Sequence, residues 1–182
     1  MHLAGETDRV VAVFAQRERL RVAARELVHT GVDVDVTARE LSDIADVSIE
    51  LAAEEARAWA DRRFGPPLGA NGERCAYSIV GMGKLGGREL NCGSDVDLIL
   101  FYETDDGSAR APSGDEITLH EWFTRFTQRL TSTLEDVTED GFAWRVDWRL
   151  RPEGSRGPLV NALGAAERYY EAWGRTWERA AL

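Results

Sequence analysis

The chain has 182 residues, 43% of them hydrophobic and 30% charged, with 22 Lys and Arg against 32 Asp and Glu and a formal net charge of −10. That apolar content can bury a core of about one domain, which excludes wholesale disorder, and the acidic balance argues against a surface that grips nucleic acid through its phosphates. Two cysteines and three histidines, with no CxxC or HxxxH spacing, exclude a disulfide framework and speak against a zinc site.

In chain order, the spacing predicts a first helix over about Asp8 to Val28, with Val10, Val13, Phe14, Leu20, Ala24 and Leu27 as its apolar stripe. A second helix is expected from Val36 to Phe64, capped by Asp35, with Leu41, Ile44, Ala45, Ile49, Ala52 and Ala56 facing inward. The run Gly65-Pro66-Pro67-Leu68-Gly69 breaks the pattern. A helical segment over 1–68 followed by a mixed core over 69–182 is therefore expected. Tyr77 to Val80 and Val96 to Tyr102 read as buried strands, and Thr104 to Gly114 as a polar loop. A third helix carries the cleanest stripe: Leu119, Trp122, Phe123, Phe126, Leu130, Leu134 and Val137. Phe142 to Leu150 alternates strictly, which predicts a strand with Arg145, Asp147, Arg149 and Arg151 on its polar side. A final helix starts near Leu163 and carries Tyr169, Tyr170, Trp173 and Trp177. The helical pattern runs to the last residue, so a fragment of a longer chain is expected. The longest apolar run, around Leu98 to Tyr102, is too short to cross a bilayer, and no secretory leader opens the chain. A reducing, cytoplasmic location without membrane or nucleic-acid partners is the expectation.

Two stretches invite chemistry. Gly81-Met82-Gly83-Lys84-Leu85-Gly86 fits GxGxxG after a strand, with Glu103 where a ribose-binding acid would sit. A dinucleotide-binding crossover, however, needs a helix of several turns, and Lys84 to Ser94 leaves no room for one. A glycine turn without a ligand is the bland alternative. The second stretch is Gly93-Ser94-Asp95-Val96-Asp97. Period two puts Asp95 and Asp97 on one strand face, where like charges repel unless a cation such as Mg²⁺ compensates them. Two acids at a solvated strand mouth would be the plain alternative. Asp147 adds a third acid if its strand pairs beside Val96 to Tyr102. Its neighbouring arginines either form a salt-bridge ladder or meet phosphate oxygens. Three acids, divalent ions and a glycine turn suit phosphoryl or nucleotidyl transfer.

A glycine turn, then about ten residues, then Asp-x-Asp and a later strand Asp resembles the polymerase-β-like nucleotidyltransferase superfamily. The turn there is usually hydrophobic-Gly-Gly/Ser, and here Met82-Gly83-Lys84 departs from it at Lys84. Gly81 to Asn91 running into Gly93-Ser94-Asp95-Val96-Asp97-Leu98, Val146 to Gly154 followed by Gly157-Pro158-Leu159-Val160, and Tyr169-Tyr170 … Trp173-Gly174 … Thr176-Trp177-Glu178 resemble the bifunctional glutamine synthetase adenylyltransferase/adenylyl-removing enzymes. The resemblance spans Ile79 to the end, and the leading helices fit it. It implies an α/β (α+β) nucleotidyltransferase core with a mixed sheet, packed helices and an N-terminal helical extension. It also implies an enzyme that controls glutamine synthetase by attaching AMP from ATP or removing it with phosphate to give ADP, the adenylyl-removing half being the nearer match. Asp95, Asp97 and Asp147 would then be the catalytic acids and hold Mg²⁺, with Mn²⁺ as an alternative. Gly83, Lys84, Arg88, Gly93, Ser94, Arg149 and Arg151 would bind nucleotide and phosphate. Glutamine synthetase would be the partner, with a PII-type signalling protein acting through regions beyond this chain. A noncatalytic docking piece and a dinucleotide oxidoreductase are the readings of other classes. Two structural expectations follow: the three carboxylates converge, and the Leu119–Val137 stripe packs on the opposite sheet face.

Overall fold

The computed structural model describes residues 5–29, 31, 33–174 and 178. Two long helices open it: α1, Glu6–Val28, and α2, Val34–Phe64. The α2 cap is Asp33 rather than Asp35: the Asp33 carboxylate accepts from the Asp35 amide at 2.9 Å, satisfying one of the free donors of the first turn. The inward residues of α2 are those its periodicity marks, from Leu41 to Ala56. On α1 the expected stripe is the wrong one. Val11, Ala12, Ala15 and Val22 are buried, whereas Val10, Leu20 and Leu27 are exposed. The helix carries two apolar faces. The one with small residues packs against the alanine-rich face of α2, because small side chains let two helix axes approach closely.

The sheet that positions the acids is built on β3, Val96–Tyr102. The strand β2, Tyr77–Met82, pairs antiparallel along its whole length, Tyr77 opposite Tyr102 and Met82 opposite Asp97. That antiparallel pairing excludes a dinucleotide-binding crossover. The connection holds only a single helical turn, α3, Gly83–Gly86, and Glu103 accepts the Ala76 amide through its carboxylate. The other edge of β3 takes two short parallel strands at different levels, β6, Val146–Asp147, and β7, Asn161–Ala162. A separate antiparallel sheet joins β1, Pro67–Gly69, β4, Gly107–Arg110, and β5, Glu116–Thr118. Two of these strands come from or border the stretch expected as a polar loop.

The expected strand over 142–150 shrinks to two residues. Before it, the Ala143 and Trp144 amides both donate to Leu134 O; after it, the Arg149 amide donates to the Asp147 carboxylate at 2.7 Å. Both ends are thus bonded away from the sheet. Trp144 and Trp148 are still buried, as the alternation requires.

The third helix, α4, is Leu119–Glu135, capped by the Thr118 hydroxyl. Its stripe from Leu119 to Leu134 is fully buried, but Val137 lies past the helix end and is exposed. Tyr102 stacks on Phe123 at 4.7 Å and Tyr77 leans on Phe126 at 5.0 Å. Tyr102 shares a face of β3 with Val96, Leu98 and Leu100, so α4 backs the face opposite Asp97, as expected. The core runs without a break from Val11 and Leu41 through Leu98 to Trp122 and Trp144, across the boundary expected near residue 68. The last helix, α5, is Leu163–Ala172; Trp173 lies just beyond it and is exposed, and Trp177 lies outside the described residues. Among the described residues no helix is long and apolar enough to cross a membrane.

Candidate active site

The β3–β6 register decides the site. Val96 stands opposite Val146 and Asp97 opposite Asp147. Like charges directly opposite each other on neighbouring strands destabilise a sheet, so this acid–acid rung has a cost that the fold alone does not explain. Burial, then the charges of Asp147 and Asp95, push the Asp97 carboxyl above the usual range; Arg149 and Lys84 pull the other way. Asp147 is held below it, chiefly by Arg149. The Arg149 guanidinium grips both Asp147 oxygens through Nε, at 3.0 and 2.8 Å, and through Nη2. Asp95 sits one position before the strand and accepts from Arg145 Nε at 2.7 Å.

Asp97 and Asp147 stand at one register level, and Asp95 lies one position before the strand. Among the described residues no group of three metal-binding side chains stands ready to hold an ion. Asp95 and Asp147 are each paired with an arginine, Arg145 and Arg149.

The glycine turn abuts the rung. Met82 ends β2 opposite Asp97, and Gly83 follows with φ +52°, in the left-handed region that favours glycine. A Cβ on Gly83 would stand 2.8 Å from Asp97 Oδ2, so only glycine lets the turn lie against this carboxylate. Beyond it, Lys84 Nζ reaches to 3.5 Å from Ser94 Oγ, and Ser94 Oγ donates to Asn91 Oδ1 at 2.8 Å. Asn91 also accepts the Gly93 amide, and Gly93 itself faces open space. Asn91, which organises the loop entering β3, is not in the expected site set; its signal is an Asx-type turn just ahead of Asp-x-Asp.

Gly83, Lys84, Ser94, Asp95, Asp97, Asp147 and Arg149 are therefore gathered around one end of β3. Two expected phosphate ligands are engaged elsewhere. Arg88, itself at φ +55°, is paired with Asp43 and Asp46 of α2 and braces that helix to the turn. Arg151 donates to the carbonyls of Trp148, Pro158 and Gly157 and braces the loop after β6.

An Asp-x-Asp strand backed by helices on one face, entered through a glycine turn and edged by a parallel strand with a third acid, is the layout of a nucleotidyltransferase-type α/β core. The profile of the glutamate-ammonia ligase adenylyltransferase family matches residues 5–182, and the chain belongs to that family. It is similar to the bifunctional glutamine synthetase adenylyltransferase/adenylyl-removing enzyme of Burkholderia mallei, 47% identical over 161 residues that cover 87% of this chain and 17% of the relative. The enzyme of that name from Pseudomonas aeruginosa is 42% identical over 182 residues, covering 97% and 18%. That from Nitrosococcus oceani is 40% identical over 186 residues, covering 100% and 19%. The chain spans less than a fifth of the length of these relatives.

Proposed function

We propose that this chain is a metal-dependent nucleotidyltransferase core that removes AMP from an adenylylated tyrosine of glutamine synthetase by phosphorolysis. The observation that carries the reading is the Asp97–Asp147 rung lying against the Gly83 turn. The donor set suits a hard divalent ion: carboxylate oxygens, crowded enough to raise the Asp97 proton affinity, with no sulfur or imidazole among them. Asp95, Asp97 and Asp147 would hold Mg²⁺, with Mn²⁺ as a substitute, and the ion would supply charge neutralisation at the α-phosphoryl group.

The chain's own groups orient the rest. Lys84 and Ser94 line the phosphates from the glycine loop, and Arg149 supplies a forked donor when it leaves Asp147. A phosphate oxygen attacks the phosphorus of the tyrosyl-AMP, the bond to the tyrosine oxygen breaks, that oxygen takes up a proton, and ADP leaves. Control by a PII-type signalling protein would act through other parts of the longer relatives.

The test is incubation of the chain with adenylylated glutamine synthetase, inorganic phosphate and Mg²⁺. The expected result is ADP that accumulates only when all components are present. AMP transfer from ATP onto the unmodified enzyme, without ADP release from the adenylylated one, would assign the opposite direction. Absence of both reactions would overturn the proposal.

A further inference from the structure

One arginine beside the acids has no part in the reaction so far. Just ahead of the paired β3 and β6 residues, the Val96 amide donates to Arg145 O at 2.9 Å, which brings Arg145 beside Asp95. Arg145 Nε reaches Asp95 Oδ1 at 2.7 Å, with both side chains largely exposed. Asp147 is likewise taken by Arg149, while Asp97 makes no ion pair among the described residues. The acids Asp95, Asp97 and Asp147 are thus set among the cations Arg145, Arg149, Lys84 and Arg151.

Resting on the nucleotidyl-transfer reading, we infer that Arg145 is a positioning residue that holds Asp95 before nucleotide binds and exchanges it for phosphate oxygens when nucleotide binds. A divalent ion alone must compete with Arg145 for Asp95. A phosphate-bearing ligand offers the guanidinium a better partner, a doubly charged group that matches its fork. Metal and nucleotide loading are therefore coupled through this side chain, and coupling of this kind is reciprocal. Arg145 is exposed and makes no buried contact through its guanidinium, so its replacement leaves the fold standing.

The test uses Arg145→Gln and Arg145→Lys in the 182-residue chain, with Mn²⁺ titrations followed by electron paramagnetic resonance and ADP titrations by calorimetry. In Arg145→Gln, Mn²⁺ without nucleotide is expected to bind about two- to fivefold tighter, the scale of an exposed ion pair. ADP in the presence of Mn²⁺ is expected to bind weaker by a similar factor. Arg145→Lys, which keeps the charge, stays near the parent in both. A purely structural arginine would give equal or weaker Mn²⁺ binding on removal, and that result overturns the inference. If the parent binds Mn²⁺ and ADP but Arg145→Gln shifts neither, the role of Arg145 falls and the site stands. If the parent binds neither, the nucleotidyl-transfer reading falls, and this inference with it.

Discussion

Asp97→Asn is expected to lower AMP transfer at least about a hundredfold while leaving the fold intact. The two effects separate because the acid–acid rung burdens the fold when no cation compensates it. Burial, Asp147 and Asp95 raise the Asp97 pKa, so the folded chain holds that proton more tightly than the unfolded one. The resulting contribution favours the fold below the ordinary carboxylate pKa and is lost as pH rises through the raised value. Asp147 has the opposite sign: Arg149 holds its pKa low, so its contribution is present above the ordinary value and lost as pH falls through the lowered one. At neutral pH Asp97→Asn removes a repulsion, and without metal its melting temperature equals or slightly exceeds that of the parent. A fall of more than about 4 °C, on the order of 1 kcal/mol for a chain of this size, would mean that Asp97 serves the fold. With Mg²⁺ and ADP the parent gains stability by mass action and the variant does not. Equal gains in both would remove Asp97 from the ligand set.

Trp122→Ala is expected to cost about 3–5 kcal/mol, read as a lower urea midpoint in a single transition. Trp122 is fully buried, stacks on Phe126 at 5.6 Å and 10°, and meets Phe123 edge-on at 4.9 Å. Its indole Nε1 donates to Gly65 O at 2.9 Å, at the junction between α2 and the first strand. Truncation empties a large volume and leaves that carbonyl without its donor, which adds about 1 kcal/mol or more. Because the core runs from α1 and α2 through β3 to α4, the loss falls on the whole molecule. Two separated transitions, with the helices of residues 6–64 melting apart from the sheet, would show that the N-terminal segment folds on its own.

The parts of this fold legible in the sequence are those where one periodic signal dominates. The bulky stripe of α4 from Leu119 to Leu134 and the long apolar line of α2 have no competing face, and both are buried; only Val137, past the end of α4, departs from the reading. On α1 two apolar faces compete, and large residues advertise the outward one while alanines and valines do the packing. The strands β1, β4 and β5 are three or four residues long, β1 and β4 hold Gly, Ser or Pro, and β1 finds its partner some forty residues on, so no local period marks them. The alternation over 142–150 is real in its buried tryptophans, but hydrogen bonds to Leu134 and the Asp147 carboxylate end the strand early.

The site divides in the same way. Asp-x-Asp and the glycine turn are local and readable. The Asp147 strand lies beside that of Asp97, as the polar faces of the two segments lead one to expect; that Arg145 pairs with Asp95, and that Arg88 and Arg151 are spent on bracing, follow from register and loop geometry, which spacing along the chain does not carry.

On the proposed reading the Asp97–Asp147 rung is a metal site that opens when Arg149 lets go of Asp147. The most direct measurement is the anomalous signal of Mn²⁺ in crystals of the chain grown with Mn²⁺ and ADP. The account predicts a peak within coordination distance of both Asp97 and Asp147, with Arg149 turned from Asp147 to a phosphate oxygen. A peak elsewhere, or bound ADP with Arg149 still gripping Asp147 and no manganese at the rung, would contradict it.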